Sequence, residues 1–162
     1  MHKDCKASEC KISKIIIFKN GGFIQNIIPD DNGFYSFINN ESILEIEDMN
    51  FDNYLDFRII KEIPAEYPFP YLFWIYNSET ELFEKNTDYE KIISPTIDYE
   101  KKLIISYWHD YIPYYIDYYK LIDGIPTLIE RYITKPNKDK IVQVETWKLV
   151  EGELKLISTN DK

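Results

Sequence analysis

Between Asp48 and Asp56 the chain reads Asp48-Met49-Asn50-Phe51-Asp52-Asn53-Tyr54-Leu55-Asp56, which sets oxygen-bearing side chains at positions 1, 3, 5 and 9 of one short segment. A hard cation such as Ca²⁺ takes six to eight oxygens at about 2.3–2.6 Å. The carboxylates of Asp48, Asp52 and Asp56, the Asn50 amide and the Tyr54 backbone carbonyl can wrap one such ion. The competing reading is an Asp/Asn-rich turn that holds no metal, because these side chains bond their own backbone and favour turns in any case.

The flanks decide what kind of loop this is. An EF-hand carries Gly at position 6 and a bidentate Glu at position 12. Here position 6 is Asn53, which tolerates left-handed backbone better than most residues, and position 12 is Ile59. Ile43-Leu44-Glu45-Ile46-Glu47 alternates before the loop, and Phe57 and Ile59 continue the alternation after it. That period belongs to strands. The spacing therefore predicts a calcium-type loop between two strands, not a helix–loop–helix.

Catalytic chemistry has little to work with. The chain has two histidines, His2 and His109, and two cysteines, Cys5 and Cys10. A Cys-His or Ser-His-Asp site would rest on His109 alone, and its neighbour Asp110 points to the opposite face if both lie on a strand. Twenty-eight acidic residues offer so many carboxylate pairs that none stands out as a glycosidase dyad. Asn20-Gly21-Gly22 is a hairpin turn and not a phosphate loop. The expectation is a protein that is not an enzyme.

A second segment suits recognition. Ser106-Tyr107-Trp108-His109-Asp110-Tyr111-Ile112-Pro113-Tyr114-Tyr115 concentrates aromatic rings around a loop tip at His109–Pro113. Tyr and Trp bury a large area and keep a polar handle, so they recur where proteins meet. Trp108, His109, Asp110, Tyr111 and Tyr114 are the expected partner-binding residues. For Tyr115, Asp117 and Tyr119, at alternating strand positions, the core reading is favoured.

The elements that carry both segments are strands. Aromatics make up 16% of the chain, with 14 Tyr against 5 Gly, a strand-friendly composition. Lys14–Phe18 and Phe23–Ile28 flank Asn20-Gly21 as a hairpin, and Gly33–Ile38, Ser42–Glu47 and Phe57–Glu62 follow. Residues 63–70 contain three prolines and read as irregular or exposed edge. Tyr71–Tyr76 and Glu81–Glu84 form a hairpin, and a short helical piece is plausible at Asp88–Ile93. Lys102–Trp108, Tyr114–Ile122, Thr127–Ile133, Val142–Val150 and Glu153–Ser158 complete the set, with turns at Asp123-Gly124 and Glu151-Gly152. Tyr119–Gly124 and Trp147–Gly152 resemble each other, each an aromatic-led strand closing at an acidic-Gly turn. The predicted fold is all-β: an antiparallel meander of hairpins forming a sandwich or a compact propeller-like structure. The predicted organisation is a flexible tail at residues 1–11 and one domain at 12–160.

A net charge of −9 without a Lys/Arg cluster argues against nucleic acid and fits either a basic protein partner or simple solubility. No apolar run is long enough for a membrane helix. Nothing at the N-terminus reads as a secretory signal, so it looks like a mature segment. Cys5 and Cys10 are open to two readings, a small disulfide loop or, at Cys5, the scar of a lipid anchor in the precursor.

Several segments together resemble a known family: Asp48–Asp56, Tyr71-Leu72-Phe73-Trp74-Ile75-Tyr76 with Leu82-Phe83, Ile104-Ile105-Ser106-Tyr107-Trp108, and Tyr119–Gly124. The family comprises bacterial periplasmic proteins with a pseudo-EF-hand calcium loop. Some are immunity proteins that inhibit lysozyme-like, peptidoglycan-cleaving effectors of type IV secretion systems. The resemblance spans roughly Ile43 to Ile129. It implies an all-β fold, calcium at Asp48, Asn50, Asp52 and Asp56, a periplasmic or envelope location, and a lysozyme-like hydrolase as partner. Related inhibitors present a small Ser/Gly loop to the enzyme cleft. The corresponding stretch here, Tyr107–Pro113, has no glycine, which leaves the target open. The alternative is a calcium-stabilised structural or adhesive envelope module.

Overall fold

The computed structural model describes residues 2–6, 9–29, 35–36, 44–61, 69–109, 111–136 and 142–161. The described chain is all-β and antiparallel, and its contacts divide it into two units, Met1–Glu90 and Lys91–Lys162, where the sequence reading has one domain. The first unit holds two sheets. In one, β1 (His2–Lys6), β2 (Glu9–Lys19) and β3 (Gly22–Ile27) pair in order, and β4 (Tyr35–Ser36) pairs back onto β2. Residues 1–11, read from sequence as a tail, thus carry β1 and the start of β2, with Cys5 opposite Cys10 in register. Most of the expected strand Gly33–Ile38, and most of the proline-rich stretch 63–70, lie outside the described residues.

The second sheet of this unit orders β5 (Leu44–Glu47), β6 (Asp56–Ile60), β7 (Tyr71–Asn77) and β8 (Leu82–Lys85). Every residue of β6 is buried, as is β7 from Tyr71 to Trp74. Phe57 stacks on Trp74 across the strand pair, with ring centroids 5.0 Å apart. Arg58 is kept inside by charge pairing: Glu45 accepts from its Nε at 2.8 Å, and Glu47 lies 2.9 Å from Nη2. The Gln25 side chain joins the two sheets. Its amide donates to the Phe83 carbonyl and accepts from the Phe83 N–H, both at 2.9 Å, as a backbone strand neighbour would.

The second unit is a six-stranded meander in chain order: β9 (Pro95–Asp98), β10 (Leu103–His109), β11 (Tyr114–Ile122), β12 (Ile125–Pro136), β13 (Val142–Val150) and β14 (Glu153–Asp161). Asn20-Gly21, Asp123-Gly124 and Glu151-Gly152 all place both turn residues at positive φ. That is the backbone which closes a two-residue hairpin with the twist of its strands, and the reason Gly stands second. The short helical piece is a single 3₁₀ turn at Tyr89–Lys91.

One face of the second unit is organised by a buried carboxylate. Asp117 is 1% exposed, and register sets it between Ser106 and Arg131. Its Oδ1 accepts from Arg131 Nε at 2.6 Å, and its Oδ2 accepts from Arg131 Nη2 at 2.7 Å and from Trp108 Nε1 at 2.9 Å. Trp108 stacks on Tyr115 at 3.9 Å with the planes 6° apart, and the Arg131 guanidinium lies 5.5 Å from each ring centroid. A buried ion pair that loses one partner leaves a charge stranded in low dielectric, at about 3–5 kcal/mol. Arg131→Ala, which strands the buried carboxylate, should lower stability by about that much in urea unfolding, and Asp117→Ala by less because Arg131 is already a quarter exposed, whereas the double change Asp117→Leu with Arg131→Met should cost less than Arg131→Ala. A midpoint that stays put for Asp117→Ala would remove this pair from the framework.

Candidate functional site

The acidic loop leaves β5 and enters β6, so the predicted strand–loop–strand placement holds. Two of its residues, Phe51 and Asn53, adopt positive φ of 63° and 69°, and Asn53 is position 6 of the spacing. The loop coils around its own side chains. Asp48 accepts the N–H of Asp52 at 3.2 Å and of Asn53 at 2.9 Å. Asn50 Oδ1 accepts the same Asp52 N–H at 3.1 Å, so Asp48 and Asn50 converge on one point. Asp52 accepts the Tyr54 N–H and the Asn50 amide, each at 2.8 Å.

Asp56 has a different task. It is completely buried, and its two oxygens accept backbone N–H groups from Met49 and from Tyr76, both at 2.8 Å. One carboxylate thus ties the start of the loop to the far end of β7. Burial pushes its pKa up to about 6 against the opposing pull of those two N–H groups, and the charges of Asp52 and Asp48 add to the rise. Tyr89, buried beneath, donates to the Met49 carbonyl at 3.5 Å, and its hydroxyl is likewise pushed up by burial and by the same carboxylates.

The donor set suits a hard cation in part. Asp48, Asp52 and the Asn50 Oδ1 accept N–H groups of the loop, Asn50 turns its amide NH₂ to Asp52, and an ionised carboxylate keeps lone pairs beyond one N–H bond. Asp56 is committed to the backbone first and has only its remaining lone pairs to offer. Among the described residues no three His, Cys, Asp or Glu side chains gather into a ready cage. Tyr54 contributes its N–H to Asp52, and its ring packs on Tyr76 at 5.2 Å.

At the other expected site, β10 and β11 set His109 opposite Tyr114 and Trp108 opposite Tyr115, so that Trp108 lies on the other face of the hairpin from His109 and Tyr114, and leave Tyr111 at the tip, 89% exposed, with Tyr114 also exposed. Asp110 lies outside the described residues. His109 faces Tyr114 across the strands at 5.3 Å, and its Nδ1 is buried with no hydrogen-bond partner among the described residues. Trp108 is half-buried and fastened to Asp117, on the face that also carries Tyr115. Sequence reasoning passed over Arg131. The available signal was a charge at an inward strand position on each of two successive hairpin strands, Asp117 and Arg131.

No protein-family model matches the chain, and no curated protein matches it. The chain is similar to the solved structure of a Xanthomonas protein related to a type IV secretion system, at 17% identity and a TM-score of 0.74, over 97% of this chain and 85% of that one. At that identity the likeness carries the fold. Among the described residues no helix is long and apolar enough to cross a membrane.

Asp56 provides the sharpest test of the loop. Asp56→Ala leaves two buried N–H groups unpaired, each worth about 1–3 kcal/mol. It should lower stability by roughly 2–5 kcal/mol in urea unfolding. Asp56→Asn turns an NH₂ toward one of those N–H groups and should also destabilise. A wild-type midpoint in both variants would mean that the carboxylate does not hold the loop.

Proposed function

We propose that this chain is a calcium-binding protein of the bacterial envelope that occludes a lysozyme-like, peptidoglycan-cleaving enzyme, acting as an immunity protein against such an effector. The observation that carries the reading is the tip of the β10–β11 hairpin. Tyr111 is exposed at the end of two paired strands, with His109 and Tyr114 in contact on one face of the hairpin and Trp108 fastened to Asp117 on the other. A tip whose two flanks are paired strands has those flanks fixed before it binds, which reduces the entropy lost on association. A muramidase cleft works with two carboxylic groups, and a tyrosine hydroxyl or an imidazole can hydrogen-bond to them. The net charge of −9 complements a basic enzyme. The sequence resemblance and the type IV secretion-related neighbour agree in context.

Calcium belongs to the same reading. Asp48, Asn50 and Asp52 would hold the ion, with the Tyr54 carbonyl and the spare capacity of Asp56 completing the oxygen set. Bound there, it would offset the carboxylate charge of the loop and would stiffen it. A second reading is a calcium-stabilised structural or adhesive envelope module without inhibitory activity, in which an ion would reinforce a turn that hydrogen bonds already close.

One measurement tests the calcium loop common to both readings, and a second separates them. Calcium at 100-fold over its Kd should add about 2.7 kcal/mol to stability, seen as a rise in melting temperature that EDTA reverses. Asp48→Ala with Asp52→Ala should abolish the rise, and magnesium, which demands a tighter octahedron, should replace calcium poorly. No shift with calcium would leave the loop as a turn. For inhibition, His109→Ala with Tyr111→Ala should weaken binding to a lysozyme-like target at least tenfold, about 1.4 kcal/mol, while melting stays near wild type. Absence of inhibition at micromolar protein, including of any hydrolase encoded beside its gene, would favour the structural module.

A further inference from the structure

The second unit leaves one face of its sheet open. Cross-strand register aligns Tyr107, Ile116, Tyr132, Thr146 and Ser158 in a single row from β10 to β14, and directly opposed residues share a face. None of these residues is buried, and Tyr107 is 44% exposed. On the other face of β10 and β11, Ser106 and Asp117 are each 1% exposed. The two faces of these strands are therefore unlike, one covered and one in water.

The open face is also uncharged. The row beside the first runs from His109 through Tyr114 and Thr134 to Asn160, and neither row contains Asp, Glu, Lys or Arg. In a chain that is 29% charged, two whole rows without a charge set this face apart. The charges beyond them cancel in pairs, Glu130 with Lys148 at 3.2 Å and Lys155 with Glu151 at 2.9 Å. An ionic ligand finds nothing to select it here. What the rows offer is aromatic rings and neutral hydroxyl and amide groups.

The spacing of the rings narrows the ligand further. Tyr107 and Tyr132 stand two strands apart with the shorter Ile116 between them. Strands lie about 4.8 Å apart, so the two tyrosines recur at about 10 Å along the row. Tyr132 is held in place: its hydroxyl donates to Glu130 at 2.7 Å, and Tyr118 meets its ring edge-on at 5.8 Å. A neutral chain of sugars joined β-1,4 matches this pattern. Each sugar is turned over relative to the last, so the same face returns at every second sugar, close to the tyrosine spacing. Its C–H faces pack on aromatic rings, and its hydroxyls point sideways to side-chain hydroxyls and amides. An apolar protein surface would instead leave Thr134, Thr146 and Ser158 without partners, at a cost for each.

We propose that this face binds a β-1,4-linked glycan chain laid across the strands, with sugars stacked on Tyr107 and Tyr132 and hydroxyls directed to Thr146 and Ser158. Three sugars are the shortest chain that engages both rings. The inference stands apart from the hydrolase reading, which rests on the hairpin tip.

The test is calorimetric titration of the full chain with cellopentaose and chitopentaose, both β-1,4-linked, with maltopentaose, whose α-1,4 links coil the chain, and with cellobiose. At least one β-linked pentasaccharide should bind one-to-one, at least fivefold tighter than maltopentaose, with an affinity that holds as salt rises. Cellobiose, too short to reach both rings, should bind at least tenfold more weakly. Tyr107→Ala should weaken binding at least fivefold without moving the melting temperature, whereas Tyr107→Trp, which keeps a stacking ring, should retain it. Tyr132→Ala should weaken binding as much, and if that variant loses stability Tyr107→Ala decides. No saturable binding of either β-linked chain, equal binding of maltopentaose, or unchanged affinity in Tyr107→Ala would each overturn the proposal. A dimer in light scattering that Tyr107→Ala dissolves, without glycan binding, would assign the face to a second copy and overturn it as well.

Discussion

The acidic loop and the sheet around it depend on one carboxylate. Asp56 is sealed from water, an unfavourable place for a charge, and the chain holds it there by giving each oxygen a backbone N–H. One N–H comes from the residue just inside the loop and the other from the end of a strand twenty residues away. The loop therefore cannot lift off the sheet without stranding a buried charge. Met49 is packed beneath it at zero exposure, which fills the space the carboxylate spans. With that end fixed, Asp48, Asn50 and Asp52 are left to organise the outer turn.

The second unit solves the same problem with a different partner. Asp117 is as deeply buried as Asp56, but its oxygens meet a guanidinium and an indole N–H instead of backbone amides. A planar guanidinium matches a carboxylate in two parallel bonds and can still lie against aromatic faces. Here it does both, which is why Trp108 and Tyr115 can stack flat on each other beside it. The strands that rise from this cluster are the ones that carry the exposed tyrosine tip.

Much of this was legible in the residues. Hairpin turns written as Asn-Gly, Asp-Gly and Glu-Gly were readable because left-handed backbone at two adjacent positions leaves few options. The placement of the acidic loop between strands followed from the period-two pattern at Leu44–Glu47 and Phe57–Ile59. The role of Asp56 was not legible. Spacing alone makes it the ninth position of an ion loop, and only the pairing of β6 with β7 brings the Tyr76 N–H to it. Arg131 was missed for a similar reason, since its partner is set by cross-strand register and not by nearness in sequence. Strand β9 at Pro95–Asp98 was also missed, because a proline at its first position reads as a break. The division into two units does leave a mark in composition, since all nine phenylalanines lie in Met1–Glu90 and none in Lys91–Lys162, but tyrosine and alternation run through both and hide it.

The central claim is that the Asp56 carboxylate clamps two distant backbone amides, and native-state hydrogen exchange on the unaltered protein measures this most directly. The account predicts that the Met49 and Tyr76 amides exchange among the slowest in the first unit, at similar rates, although one lies at a loop and the other near a strand end. Exchange of either amide as fast as that of the exposed loop residue Leu55 would contradict it.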